Sequence, residues 1–342
     1  MGHAILTPNI VLRAYRGSED HPAMNAVANA VRAFNGDPDL STIADFDNYY
    51  AHFDHADLPR DCAIVEIDGR PVAYARTSWE EMSRGGRRVE SVTFVHPAAH
   101  GSGVEERLVD HALRRAETLI AAIGRDHRTE IMVFVSGRDA ALIDLVETLG
   151  LVRARRHAQL VRPSLDNIPD LQLPAPIEVR PIVQGDGAMH RRVFDADARA
   201  FADSYGQAAP SEQQFEAFIG SPSFSPALWR VAFDGDAIAG QILNYLGDAE
   251  RDGTVIGWTE SITVQAEYRR RGLARALLAE SLRAVRDAGA TSAALGVDTQ
   301  NPNQALTLYE SLGFRIVSES FEYRLGPFPP GATPRLPRVS IP

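Results

Sequence analysis

ESITVQAEYRRRGLARALL, residues 260–278, joins a β-branched strand to an amphipathic helix through an Arg- and Gly-rich loop. A looser copy, ESVTFVHPAAHGSGVEERLV, occupies residues 90–109. Glu90 and Glu260 lie 170 residues apart, and the loop glycines Gly103 and Gly272 lie 169 apart. The surrounding chain repeats in the same order. IVLRAYRGSED from Ile10 parallels IEVRPIVQGDG from Ile177, and the hairpin signal Asp68-Gly69 parallels Asp234-Gly235. VETLGLV, with Gly150, parallels YESLGFR, with Gly313. Ordered blocks at nearly constant spacing imply a tandem duplication. The expected division is a first lobe at 1–162, a Pro-rich linker at 163–176, a second lobe at 177–326 and a Pro-rich tail at 327–342. That tail cannot form a helix or a central strand, so it is expected as an extended or mobile arm.

Within the second copy, IEVRPI and ALWRVAFDG alternate as strands, and DAIAGQILNYL completes a hairpin around the Asp-Gly pair. Helix patterns cover 188–202 and 212–219. TVIGWTESITV reads as a further strand. Ala274, Leu277, Leu278, Ser281, Leu282 and Val285 then line one face of a helix that Gly289 can close. TSAALGV, a short helix at 303–312, and FRIVSESFEYRL finish the sheet. The expectation is α/β: two tandem mixed sheets flanked by helices, related by pseudo-symmetry.

The 342 residues carry 45 acidic and 35 basic side chains, a net charge of −10. Every basic residue is Arg. The acidic balance argues against nucleic acid as a partner, because phosphate backbones need a basic face. The missing Lys excludes Schiff-base and Lys-general-base chemistry. One cysteine, Cys62, excludes an intramolecular disulfide framework and a Cys-based zinc site. No stretch reaches the roughly 18 apolar residues a membrane helix needs, and the first residues lack a signal-peptide pattern. A cytoplasmic protein without membrane or metal partners is expected. His52, Asp54, His55 and Asp57 read as a solvated loop rather than a metal site.

Residues 269–275, Arg-Arg-Arg-Gly-Leu-Ala-Arg, feed a helix N-terminus, where unpaired backbone N–H groups and the positive dipole end favour an anion. Arg269, Arg270 and Arg271 beside those amides suit a phosphate or pyrophosphate. A nucleotide P-loop is excluded because G-x-x-x-x-G-K-[ST] is absent, and so is the dinucleotide pattern G-x-G-x-x-G.

The R-x-x-G-x-A pattern at Arg269, Gly272 and Ala274 resembles the acetyl-CoA signature of the GNAT superfamily of N-acetyltransferases. NQALTLYESLGF, from Asn303 to Phe314, resembles that family's second motif, N-x-x-A-x-x-L-Y-x-x-x-G-F. The tandem arrangement is similar to that of two-lobed bacterial acetyltransferases of the mycothiol synthase type. The resemblance implies an N-acetyltransferase with acetyl-CoA as co-substrate and a small-molecule primary amine as acceptor, reacting by direct attack in a ternary complex. It implies that Ile262, Thr263 and Val264 pair with the pantetheine arm. Residues Arg269, Arg270, Arg271, Gly272, Leu273, Ala274 and Arg275 would hold the pyrophosphate, and Asn303 the arm or the next helix. Tyr309 would protonate the departing thiolate, and the Val264 amide would stabilise the oxyanion. Glu260, four residues before Val264 and hence on the same strand face, would be the base; Asp298 is its rival. Phe194, Asp195, Asp197, Phe201 and Tyr205 fall in the region that walls the family's acceptor pocket.

In the first copy His100 replaces Arg269, Glu105 replaces Ala274, Ala140 replaces Asn303 and Val146 replaces Tyr309. That lobe is expected to be structural or to help bind substrate. The contrasting expectation for the whole chain is a non-catalytic acyl-CoA sensor, which the presence of Tyr309 and Glu260 disfavours. Oligomeric state is not readable.

Overall fold

A computed structural model of the chain describes residues 9–83, 85–201, 210–249, 253–300, 305–332 and 334–339. It divides into two compact units, Met1–Arg156 with Glu319–Pro342, and His157–Ser318. These differ from the boundaries expected at 162 and 177 because each sheet is closed by a strand from the other repeat.

Unit 1 holds β1 (Ile10–Ala14), α1 (His21–Asn35), α2 (Ile43–Ala51), α3 (Leu58–Asp61), β2 (Cys62–Ile67), β3 (Arg70–Glu81), β4 (Arg87–Val95), α4 (Val104–Ile123), β5 (Thr129–Ser136) and α5 (Ala140–Thr148). β6 (Val152–Arg162) begins there and crosses into unit 2. Unit 2 continues with β7 (Glu178–Arg180), α6 (Gly187–Phe201), α7 (Glu212–Gly220), β8 (Arg230–Asp234), β9 (Ala237–Leu246), β10 (Ile256–Val264), α8 (Leu273–Asp287), β11 (Ser292–Asp298) and α9 (Ala305–Ser311). β12 (Arg315–Phe328) returns to unit 1.

In unit 1 the strand order is β1-β2-β3-β4-β5-β12, and in unit 2 it is β6-β11-β10-β9-β8-β7. The two orders are the same arrangement with the final strands exchanged. FRIVSESFEYRL therefore closes the first sheet rather than the second: Phe321 pairs with Val135 and Tyr323 with Val133. β6 pairs instead with β11, from Ala293↔Arg162 to Asp298↔His157. Side chains fix the exchange. Tyr323 is fully buried, accepts from Arg153 Nη2 at 2.9 Å and donates to Glu147 at 2.6 Å. Arg162 ends β6 by donating to the backbone carbonyls of Ser164, Leu312 and Asp166.

Each unit packs one long amphipathic helix, α4 or α8, on one sheet face and the α1/α2 or α6/α7 pair on the other. Gly257 lets α8 lie against β10, since a Cβ there would meet Val285 at 2.6 Å. The Pro-rich tail runs as an extended arm on unit 1: Leu336 is buried, and its amide donates to Glu117 at 2.6 Å. No helix among the described residues is long and apolar enough to cross a membrane.

Candidate active site

The loop after β10 is built in three steps. A short 3-10 turn at Ala266–Tyr268 leaves the strand, and Gly272 then starts α8. Arg270 and Gly272 both adopt left-handed backbone, with φ of 61° and 82°. Such left-handed positions, alternating along a short segment, turn successive amides inward as an anion-binding concavity. The first bond into α8 runs from Ala276 N to Gly272 O, so the amides of Leu273, Ala274 and Arg275 have no intrahelical acceptor. Arg270, Arg271 and Arg275 are exposed, and among the described residues no carboxylate pairs with them. Arg271 lies 5.5 Å from the Tyr268 ring.

Arg269 works differently. Its guanidinium donates to Val264 O at 3.0 Å and to Ala200 O at 3.0 Å, tying the loop to the end of β10 and to α6. It braces the loop rather than presenting charge from it.

The strand before the loop is bent by a β-bulge. Thr259 pairs with Asn244 and Ser261 with Leu243, which leaves Glu260 as the extra residue. A bulge ends regular pairing and re-aims the strand. On the other edge, β10 pairs with β11 only from Ile256↔Ser292 to Thr259↔Leu295. Ile262, Thr263 and Val264 therefore run on without β11 as a partner, and the two strands part where the resemblance places an added extended arm. Glu260 is exposed at the mouth of that opening.

Tyr309 is buried on α9, with its ring 6.2 Å from Phe314, and Phe314 N bonds back to Tyr309 O at 3.1 Å. Ile262, Val264 and Tyr268 pack against the large apolar cluster of unit 2 that also contains Tyr309. Burial pushes the phenol up to about 12, which keeps it a proton donor at neutral pH. Asp298 accepts from Gln300 N at 2.9 Å, as a strand-end turn cap does. Asn303 and Tyr205 lie outside the described residues.

Several of the other side chains singled out have local partners. Phe194 packs on Phe215 and Phe218 between α6 and α7. His52 bonds to Asn48 O, and His55 stacks on Trp79 at 3.9 Å. What sequence reasoning missed was the polar group holding Asp197: Gln241, Ser261 and Thr263 all donate to it. The signal was present, since Gln241 interrupts the apolar run of AIAGQILNYL.

Unit 1 keeps the frame and fills it. His100 Nε2 donates to Val95 O at 3.3 Å, the same brace that Arg269 makes to Val264. Gly101 and Gly103 repeat the left-handed positions, with φ of 73° and 85°. Yet the Gly101 amide, the counterpart of Arg270 N, donates to the buried carboxylate of Glu105 at 3.0 Å. β4 has no bulge and stays paired with β5 one residue further, to Val92↔Phe134. The hydrogen-bonded pairs Thr77–Ser91 and Asn244–Thr259 are equivalent, so Glu90 stands opposite Ser78 where Trp258 stands opposite Tyr245. The apparent match of Glu90 to Glu260 is thereby corrected: the bulge residue has no counterpart in unit 1. Val146 does occupy the Tyr309 position, since Leu151 N bonds to Val146 O as Phe314 N does to Tyr309 O.

Two sheets with this order, a parting strand pair and an amide-lined loop at a helix start define a tandem GNAT fold, and comparison with known proteins agrees. Residues 225–316 match the family described as Acetyltransferase (GNAT) domain. The chain is 30% identical over 257 residues to a mycothiol acetyltransferase of Thermomonospora curvata, covering 70% of this chain and 80% of that protein. It is also 30% identical over 258 residues to one of Rhodococcus jostii, covering 73% and 78%. A GCN5-related N-acetyltransferase from Sphaerobacter thermophilus superposes with a TM-score of 0.70 at 23% identity, covering 92% and 95% of the two chains. A tandem GNAT protein from the clavulanic acid biosynthesis pathway does so with a TM-score of 0.63 at 15% identity, covering 94% and 99%. The chain belongs to the GNAT acetyltransferases, and it is an acetyltransferase of the tandem type.

Proposed function

We propose that unit 2 alone transfers acetyl from acetyl-CoA to the primary amine of a small molecule, and that unit 1 does not. The observation that carries this reading is the pair of loops: one amide concavity presents Arg270 and Arg271, and the other holds the carboxylate of Glu105. The pyrophosphate would rest on the amides of residues 270–275, with Asn303 contacting the pantetheine arm or the following helix. Ile262, Thr263 and Val264 would pair with that arm.

Glu260 would take the proton that the incoming ammonium must lose before its nitrogen can attack the thioester carbonyl. The Val264 amide would donate to the tetrahedral oxyanion. Tyr309 would donate to the departing sulfur; its high pKa suits a hydrogen bond to the developing thiolate that does not require an ionised phenol. No covalent enzyme intermediate is needed, and Cys62 is buried in unit 1.

The relatives' name suggests a mycothiol-type acceptor, the amine form that lacks the acetyl group. The test is acetyl transfer by the full chain to desacetyl-mycothiol, spermidine and glucosamine, followed by release of free CoA. Desacetyl-mycothiol is expected to be acetylated fastest. CoA release no faster than spontaneous thioester hydrolysis with every amine would overturn the reading.

A further inference from the structure

The helix–sheet interface beside Glu260 has a polar centre that packing does not require. α6 lays Asp197 on the sheet face that carries Gln241, Ser261 and Thr263. Asp197 Oδ1 accepts from Ser261 Oγ at 2.5 Å, Gln241 Nε2 at 3.2 Å and Thr263 Oγ1 at 3.3 Å. Three donors on one oxygen fix the plane of the carboxylate. Its Oδ2 accepts from none of the described residues. Gln241 is fully buried and donates also to Val193 O at 3.0 Å, while its Oε1 has no hydrogen-bond partner among the described residues. Gln241 Oε1 is thus a buried acceptor without a donor, which is costly, and beside it stands a half-buried carboxylate whose second oxygen is not enclosed and takes no protein donor among the described residues.

Unit 1 answers whether the fold itself needs this arrangement. By strand register, Tyr74, Val92 and Phe94 stand where Gln241, Ser261 and Thr263 stand in unit 2. Tyr74 stacks on Phe94 at 4.9 Å, and α1, which carries no acidic residue, packs there through Met24, Val27 and Ala28. An apolar interface closes the same helix on the same strands. Burial holds the Asp197 carboxyl above its usual range, so keeping an acid here works against stability.

We propose that Asp197 is a specificity residue for the acceptor: its Oδ2, held in place through the bonds to Oδ1, receives the ammonium of the incoming amine next to the Glu260 bulge. This inference rests on the amine-acceptor reading of unit 2. An ammonium brings three N–H donors and one positive charge, which supplies the donor that Asp197 Oδ2 lacks and offsets the desolvated carboxylate. Asp197 acts in binding, and the proton is removed afterwards at Glu260.

The test is calorimetric titration of desacetyl-mycothiol into the full-length protein holding CoA, for wild type and Asp197→Asn. Asn keeps an oxygen for Ser261 and Thr263 but loses the charge. At least tenfold weaker binding is expected, with acetyl-CoA affinity unchanged. The hydroxyl analogue, in which OH replaces the amine, should bind both proteins alike, a result that mere distortion of α6 would not give. Equal amine affinity in the two proteins would overturn the proposal, as would no binding to wild type at millimolar amine. Should Asp197→Asn fail to fold, Ser261→Ala frees the carboxylate to turn and is expected to weaken amine binding roughly threefold; an unchanged affinity then overturns it. The two claims separate cleanly. Binding that depends on Asp197 without acetyl transfer refutes the catalytic reading, and transfer with Asp197-independent affinity refutes the role of Asp197.

Discussion

The two units hold the same loop in two electrostatic states. In both, a side chain five residues after the central strand's last Val donates to that Val's carbonyl oxygen, Arg269 in one and His100 in the other. In both, two left-handed residues precede the long helix. Unit 2 leaves the amide of Arg270 without a partner among the described residues, and unit 1 gives the corresponding amide of Gly101 to Glu105. The difference teaches that the backbone concavity belongs to the fold, while in unit 1 one residue of the first helical turn, Glu105, fills it. The sheets differ in the same sense. A one-residue bulge at Glu260 follows the last pair between β10 and β11, at Thr259, whereas the unbulged β4 stays paired with β5 one residue further, to Val92, before those strands part as well.

Converting unit 2 toward unit 1 should break activity in steps. Tyr309→Val, which copies Val146, is expected to lower kcat by about 10²–10⁴, the usual range for a lost acid–base group, with acetyl-CoA KM nearly unchanged. Steady-state kinetics decide this, and a kcat within threefold of wild type would remove Tyr309 from the chemistry. Ala274→Glu, which copies Glu105, should raise acetyl-CoA KM at least tenfold, about 1.4 kcal/mol, because the carboxylate competes for the amides and the dipole. Its kcat at saturating donor should persist.

Arg270→Ala should raise acetyl-CoA KM about threefold, and the effect should shrink in high salt because the group is exposed. The smallest effect concerns stability. An acid whose pKa is raised on folding binds its proton more tightly in the folded state, so ionising it at pH above the unfolded value costs stability. Asp197 is such an acid. Asp197→Asn is therefore expected to melt slightly above wild type at pH 7.5 and to lose that advantage as pH falls below the unfolded carboxyl value of about 4. A lower melting temperature at pH 7.5 would show that the charge supports the fold.

The sequence revealed the duplication, the order of elements within each repeat and the two motifs, because Gly272, Ala274 and Tyr309 sit in patterns whose spacing survives without coordinates. Three features were not legible. The exchange of β6 and β12 was hidden because both strands follow equivalent helices and offer equivalent edges; only Arg162 and Tyr323, read in three dimensions, distinguish the partners. The bulge was hidden because one inserted residue in a β-branched run changes no composition, and it made Glu90 look like the partner of Glu260. Arg269 read as one of three equivalent cations, and only its bonds to Val264 and Ala200 separate a brace from a ligand group.

The central claim, one competent donor site in a duplicated chain, is tested most directly by the stoichiometry of acetyl-CoA binding measured by isothermal titration calorimetry. The account predicts one site per chain, weakened at least tenfold by Ala274→Glu and unaffected by substitutions in the loop of unit 1 such as His100→Ala. Two equivalent sites per chain, or a single site that survives Ala274→Glu and disappears with His100→Ala, would contradict it.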